Sequence, residues 1–242
     1  MQIVITMAGL GTRFKNAGYT VPKYEIGVKG RTLFEWSMES LKGYHLSEND
    51  YYFIVRREDG SRDFIENEWR KIRGSDAVAN VIEIDHMTDG QATTAMLAAP
   101  LWKKDDSLLI YNIDTYVEAG QMRYSDIRGD GFIPCFNAPG DHWSFVATDD
   151  DGNATEVREK ERISDNCTLG AYYFASCSLY ERMYDEYYKN AANLEKGEKY
   201  VAPLYNHMIA KGLTVRICMI GSQFVHVLGT PEELEIFAKE DI

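Results

Sequence analysis

Short, nearly continuous apolar runs alternate along the chain with stretches of helical spacing. Residues 2–6 (QIVIT), 51–56 (YYFIVR), 78–84 (VANVIEI) and 107–114 (SLLIYNID) have strand length and few polar positions. Between the first two, Thr32 and Glu35 stand at capping-box spacing before a helix from about Leu33, with Phe34, Met38 and Leu41 on one face. Residues 61–73 put Phe64, Ile65, Trp69 and Ile72 on one side of a second helix, and residues 92–99 (ATTAMLAA) favour a third. Strands that are apolar on both faces and separated by helices predict a parallel sheet covered on both sides.

Beyond about residue 130 the pattern changes. Residues 143–160 (WSFVATDDDGNATEVREK) predict a hairpin around an Asp-Gly turn. Residues 169–176 predict a strand, 178–190 and 201–211 helices, and 214–220 and 223–228 two late strands. There is no internal repeat, low-complexity tract or proline-rich linker. The expectation is a single α/β domain over residues 1–242, with a central sheet that becomes mixed in its second half.

Composition narrows the partners. With 45% apolar and 12% aromatic residues in 242, the chain can bury a large core. Its formal charge of −12 repels nucleic acid and anionic membrane surfaces, so a phosphorylated ligand must be met by a local basic cluster or a metal ion. No apolar run approaches the ~20 residues of a membrane span, and the start of the chain lacks a basic head and a cleavage region. A cytoplasmic protein is expected. Cys135, Cys167, Cys177 and Cys218 form no Cys-x-x-Cys pair and read as buried thiols.

Four segments carry candidate chemistry. A strand running into Gly9-Leu10-Gly11-Thr12-Arg13 presents unhindered backbone N–H groups where an anion could sit. The loop lacks the Gly-Lys-Ser/Thr ending of a Walker A motif, and Phe14 stands where a dinucleotide fingerprint needs its third glycine. Taken alone it is either a tight turn or an anion cradle, with Lys23 following behind Pro22. Residues 89–95 (DGQATTA) read alone as a helix start with Asp89 as N-cap. Asp114 ends a strand, where open α/β sheets place ligand chemistry. Glu159-Lys160 lies in a charged run that reads alone as a solvated face.

Gly9-Leu10-Gly11-Thr12-Arg13-Phe14 followed by Pro22-Lys23 resembles the signature of the sugar-phosphate nucleotidyltransferases, also called nucleotide-sugar pyrophosphorylases, and the resemblance extends through most of the chain. It implies a Rossmann-like (GT-A-like) fold whose mixed, mostly parallel sheet is flanked by helices, with residues 1–120 as a nucleotide-binding half and 121–242 as an acceptor-binding half. Ala8, Gly9, Leu10, Gly11 and Thr12 would then wrap a nucleoside triphosphate, and Arg13 and Lys23 would neutralise the α-phosphate and the departing pyrophosphate. By the same resemblance Gly90 and Gln91 meet the base, Asp114 binds Mg2+, Glu159 and Lys160 contact the acceptor sugar and its phosphate, and Gly170 lets the backbone approach that sugar.

One segment departs from the family. Many relatives carry a second metal-binding aspartate two residues before the glycine of Gly-Thr-Pro, and here residues 224–231 (FVHVLGTP) have Val227, preceded by His226. Either Asp114, phosphates and water hold the ion, or His226 substitutes, although imidazole suits softer metals. His45, His86, His142 and His207 lack partners at ligand spacing, and Tyr172, Tyr173, Tyr184, Tyr187 and Tyr188 read as core or rim aromatics.

The reaction implied is transfer of a nucleoside monophosphate from a triphosphate, a pyrimidine one by similarity to shorter relatives, to a sugar 1-phosphate with release of pyrophosphate. Phosphocholine or another phospho-alcohol remains open as acceptor. The alternatives are a metal-dependent glycosyltransferase using Asp114, and a nucleotide-binding subunit without turnover, which Val227 motivates.

Overall fold

The computed structural model describes residues 1–44 and 50–241, so His45 lies outside the described residues. In chain order the elements are β1 (Gln2–Thr6), α1 (Thr12–Asn16), β2 (Gly27–Val28), β3 (Arg31–Thr32), α2 (Leu33–Glu39), β4 (Asp50–Arg56), α3 (Arg62–Arg73), β5 (Asn80–Ile84), α4 (Gln91–Met96), β6 (Leu108–Asn112) and β7 (Thr115–Val117). The second half adds β8 (Gly131–Phe136), β9 (Ser144–Thr148), β10 (Ala154–Glu159), β11 (Cys167–Thr168), β12 (Ala171–Phe174), α5 (Cys177–Tyr187), α6 (Leu204–Ala210), β13 (Val215–Met219), β14 (Val225–Val227) and α7 (Pro231–Lys239).

Ten strands form one sheet in the order β10-β9-β11-β8-β12-β6-β1-β4-β5, with β13 also paired to β8. The runs β5, β4, β1 and β6 are parallel neighbours, as the two-sided apolarity of β4, β1 and β6 predicts, whereas β5 at the sheet edge is half-buried. Strand β12 enters antiparallel between β6 and β8, and this insertion mixes the sheet. Strands β8, β9 and β13 run with the first four, and β10, β11 and β12 oppose them.

Alternation along the strands divides the core into two layers. Val4, Ile54 and Ile110 face one side with Ala92 and Ala95 of α4, Tyr180 of α5 and Tyr205 of α6. Ile3, Ile5, Phe53 and Tyr111 face the other with Phe34 and Met38 of α2 and Ile65 and Trp69 of α3. A third cluster of Phe14, Trp36, Tyr116, Leu234 and Phe237 fastens α7 over α1, α2 and β7. The C-terminal segment is thereby held against the end of the sheet that carries the glycine loop.

Differences from the sequence pattern have local causes. Val78 is exposed, and its carbonyl accepts from Trp69 Nε1 at 3.1 Å, so β5 begins only at Asn80. Strand β8 escapes the pattern because it contains Pro134, a residue that argues against an interior strand. Pro134 is tolerated because its carbonyl takes the Leu169 N–H at 3.2 Å and its missing N–H faces the break between β11 and β12. Cys135, Cys167 and Cys177 are buried free thiols, and Cys218 is half-buried.

The capping box before α2 is present in both directions. Glu35 N–H donates to Thr32 Oγ1 at 3.2 Å, and Thr32 N–H to Glu35 Oε2 at 2.8 Å. Thr32 Oγ1 also reaches the buried Glu68 carboxylate at 3.1 Å. Thr32→Ala is therefore expected to lower stability by about 1–2 kcal/mol, read as a lower denaturant midpoint at unchanged m.

Candidate active site

Where the chain leaves the carboxyl ends of β1 and β6, a cleft opens with two lobes of about 600 and 230 Å³. Arg13, Gln91, Asn112, Asp114 and Tyr200 line both lobes and form the seam between them. A crevice outside the carboxyl ends of parallel strands is where the loops must diverge to opposite faces of the sheet, which leaves room for a ligand.

The glycine loop is the first wall. Gly11, at φ 62° and ψ 28°, adopts the left-handed conformation that turns the chain into α1. Ala8, Gly9 and Arg13 line the larger lobe, whereas Leu10, Gly11 and Thr12 lie outside the cleft lining. Arg13 makes no ion pair among the described residues, so its guanidinium is available to an anion.

Asp114 is fixed by its turn. Ser37 Oγ donates to the Ile113 carbonyl at 2.9 Å and Tyr111 Oη to the Thr115 carbonyl at 2.7 Å. Leu228 N–H donates to the Asp114 carbonyl itself at 2.8 Å. Lys23, in a single helical turn after Pro22, brings Nζ to 2.8 Å from Asp114 Oδ2. Two residues 91 positions apart in sequence are thus joined in one charge pair at the seam.

The turn before α4 departs from the simplest reading of its sequence. Gly90, not Asp89, is the N-cap, and it makes no side-chain cap bond. A cap at Asp89 is displaced because its carboxylate is taken by Lys199 Nζ at 2.8 Å and by Thr93 Oγ1. Gly90 has φ 139°, and a Cβ there would stand 2.4 Å from the Lys199 carbonyl oxygen. Gln91 Nε2 donates to Asn112 Oδ1 and, at 3.2 Å, to Thr6 Oγ1, tying α4 to the ends of β6 and β1.

On the far wall, Lys160 follows β10 in a left-handed conformation, φ 55°, a strain on the order of 1 kcal/mol that a packed site can hold. Its N–H donates to the Trp143 carbonyl at 2.8 Å. Its Nζ lies 2.9 Å from Tyr200 Oη and 3.4 Å from Glu159 Oε1. Burial opposes the ammonium charge, but the Tyr200 hydroxyl and Glu159 outweigh it and raise the Lys160 pKa above its ordinary value. Glu159 accepts from Ser144 Oγ and lines the smaller lobe.

Gly170 also borders the smaller lobe, but its immediate neighbour is protein. At φ 74°, a Cβ there would meet Asn112 Nδ2 at 2.4 Å, so the glycine makes room for the Asn112 side chain. Tyr200, Asn112 and Trp143 are site residues that the motifs missed or named only in passing. Tyr200 and Trp143 lie in irregular segments without periodicity, while Asn112 adjoins Asp114 and could have been inferred from its place at the strand end.

The C-terminal wall places Val227 and His226 on opposite sides of β14. Strand β14 pairs with β7, Val227 opposite Thr115, and Val227 lines the smaller lobe. His226 points the other way, its Nδ1 2.6 Å from Glu240 Oε2 and its ring stacked on Tyr116 at 5.2 Å. It lines neither lobe, so it does not replace an aspartate at 227.

The donor set suits a hard cation. No cluster of three or more His, Cys, Asp or Glu is found among the described residues, so a magnesium ion would need oxygens from phosphate and water as well as from Asp114. Glu233 lines the same lobe, and its Oε2 is buried without a hydrogen-bond partner. A Cβ at Gly229 would stand 3.4 Å from that oxygen and 3.6 Å from Asp114 Oδ2, so the glycine leaves a space bordered by two carboxylates.

No protein-family model and no curated protein sequence matches the chain. Among solved structures, the nucleoside-diphosphate-sugar pyrophosphorylase from Vibrio cholerae RC9 is 32% identical over 98% of this chain and 100% of that one, with a TM-score of 0.88. The chain belongs to the sugar-phosphate nucleotidyltransferase family. The inositol-1-phosphate CTP transferase from T. maritima shares the fold at 14% identity, covering 100% of this chain and 97% of its own, with a TM-score of 0.74. A Bacillus anthracis protein assigned as a glucose-1-phosphate thymidylyltransferase does so at 14% identity, the same two coverages and a TM-score of 0.77. Among the described residues no helix is long and apolar enough to cross a membrane.

Proposed function

We propose that the larger lobe takes a nucleoside triphosphate and the smaller one a sugar 1-phosphate, and that the chain joins them as a nucleotide sugar with release of pyrophosphate. One observation carries this reading: Arg13 and Asp114 border both lobes at the strand ends, where an α-phosphate would meet its attacker. An oxygen of the acceptor phosphate bonds to the α-phosphorus, the bond from that phosphorus to the bridging oxygen breaks, and the electron pair leaves with pyrophosphate. The acceptor is already an anion, so no side chain has to remove a proton.

The barrier then lies in bringing two polyanions together and stabilising charge as it moves. The N–H groups of Ala8 and Gly9 and the guanidinium of Arg13 meet the triphosphate, and Lys23 stands within reach of the same phosphates while it balances Asp114. Lys160, held protonated by Glu159 and Tyr200, lines the larger lobe beside the Tyr200 seam and reaches from there toward the acceptor phosphate. Gly90 and Gln91 face the base, for which a pyrimidine is our reading, and Glu159 faces the sugar. Magnesium held by Asp114 would supply a hard positive charge on the triphosphate oxygens. The relative at 32% identity is a nucleoside-diphosphate-sugar pyrophosphorylase, which favours a sugar phosphate over a phospho-alcohol acceptor, and a glycosyltransferase would not need the triphosphate grip.

Equilibrium titration with CTP, UTP, dTTP, ATP and GTP tests the nucleotide half. Arg13→Ala is expected to weaken the best triphosphate at least about tenfold, as loss of a charged hydrogen-bonding partner does. Unchanged affinity contradicts the reading. Lys160→Met tests the acceptor half: the acceptor KM is expected to rise roughly tenfold or more while the triphosphate KM changes less than about threefold.

A further inference from the structure

We infer that Glu233 supplies a second carboxylate oxygen to the divalent-cation site, the part that Val227 cannot play. The inference rests on the triphosphate reading above and concerns how this chain completes that site. Gly229-Thr230-Pro231 leads into α7 so that Glu233, in its first turn, faces the lobe that contains Asp114 and Val227.

The spacing Thr230-x-x-Glu233 is that of a capping box, which would give Glu233 a purely structural task. Only half of that box forms. Glu233 N–H donates to Thr230 Oγ1 at 3.1 Å, but Glu233 Oε2 is buried with no hydrogen-bond partner. At Thr32 and Glu35 the same spacing closes in both directions. A carboxylate oxygen withdrawn from water without a donor is costly, and it is relieved by a cation or by water held on one.

Two further features converge on the same spot. Gly229 lacks the Cβ that would lie 3.4 Å from Glu233 Oε2 and 3.6 Å from Asp114 Oδ2, which keeps the space between the carboxylates open. Lys23 balances one of the two charges through Asp114, which leaves the pair with an excess of one negative charge before any phosphate enters. With oxygen donors only, and His226 turned away, the set selects a hard divalent ion such as Mg2+ or Mn2+.

Mn2+ alone, titrated into the full chain and followed by electron paramagnetic resonance, tests the assignment. Glu233→Gln is expected to weaken Mn2+ binding roughly tenfold with Tm within about 2 °C of wild type, and the exposed-neighbour control Glu232→Gln to leave it unchanged. Adding Val227→Asp to Glu233→Gln is expected to restore most of the affinity. A pure capping role gives the opposite pattern, a lowered Tm with wild-type Mn2+ affinity, and overturns the inference. So does loss of Mn2+ binding in Asp114→Asn with none in Glu233→Gln, failure of Val227→Asp to rescue, or a wild-type chain that does not bind Mn2+. These results leave the proposed reaction standing, because pyrophosphate release by wild type is read separately from Mn2+ binding.

Discussion

Asp114→Asn is expected to lower kcat by roughly 10²–10³-fold while leaving the folded chain almost as stable as wild type. The side chain sits at the seam of the two lobes, and its turn is held by Ser37, Tyr111 and Leu228 through bonds that the substitution does not touch. Asparagine is isosteric, and its carbonyl can still accept from Lys23. What is lost is one negative charge at the position proposed to hold magnesium and to orient Lys23. The Lys23–Asp114 pair is partly solvated, so breaking it costs at most about 1 kcal/mol of stability. Steady-state kinetics and thermal melting on the same preparation check both halves. Activity within about threefold of wild type would remove Asp114 from the chemistry.

Gly90→Ala is expected to reach both lobes by way of the backbone. The new Cβ would lie 2.4, 2.6 and 2.8 Å from the O, N and C atoms of Lys199, none of which can rotate away, and φ is 139°. The turn must therefore lift, which opposes the Lys199 N–H to Asp89 carbonyl bond at 2.7 Å and the Ala92 N–H to Lys199 carbonyl bond at 3.0 Å. Tyr200, the next residue, is the hydroxyl that orients Lys160. Strain and overpacking together predict a loss of about 3 kcal/mol, a Tm lower by about 10 °C. KM is expected to rise for both substrates. Gly9→Ala is the contrast for stability, because its φ is not positive and no atom lies within 4 Å of the added Cβ; its Tm is expected to stay near wild type. Equal melting curves for the two variants would show that the Lys199 contact does not hold the turn.

The parallel half of the sheet was legible because β1, β4 and β6 are buried on both faces, so their apolar runs could not be confused with half-exposed strands. The order beyond β6 was not legible. It depends on β12 inserting between β6 and β8, and β8 hides behind Pro134, whose missing N–H only the break between β11 and β12 makes harmless. Within the site, the glycine loop, Lys23 and Asp114 could be read because each lies in or next to a compact motif and the resemblance joined them. Asp89 misled because its type suits an N-cap, whereas the geometry required the φ of Gly90 and engaged Asp89 with Lys199. Tyr200 gave no signal at all, since it reaches the cleft from an irregular segment. Glu233 is absent from the sequence reading, because its spacing from Thr230 does not reveal which way a carboxylate turns.

The central claim is that one cleft grips a triphosphate through Arg13 and Lys23 and transfers its nucleotidyl group to a phosphorylated acceptor. Phosphorus NMR of wild-type chain with Mg2+, each pyrimidine and purine triphosphate, and a panel of sugar 1-phosphates tests it most directly. Pyrophosphate is expected to appear one for one with a new nucleoside diphosphate conjugate, fastest with a pyrimidine. No pyrophosphate from any pair, or release of a nucleoside diphosphate from a supplied nucleotide sugar without pyrophosphate, would contradict it.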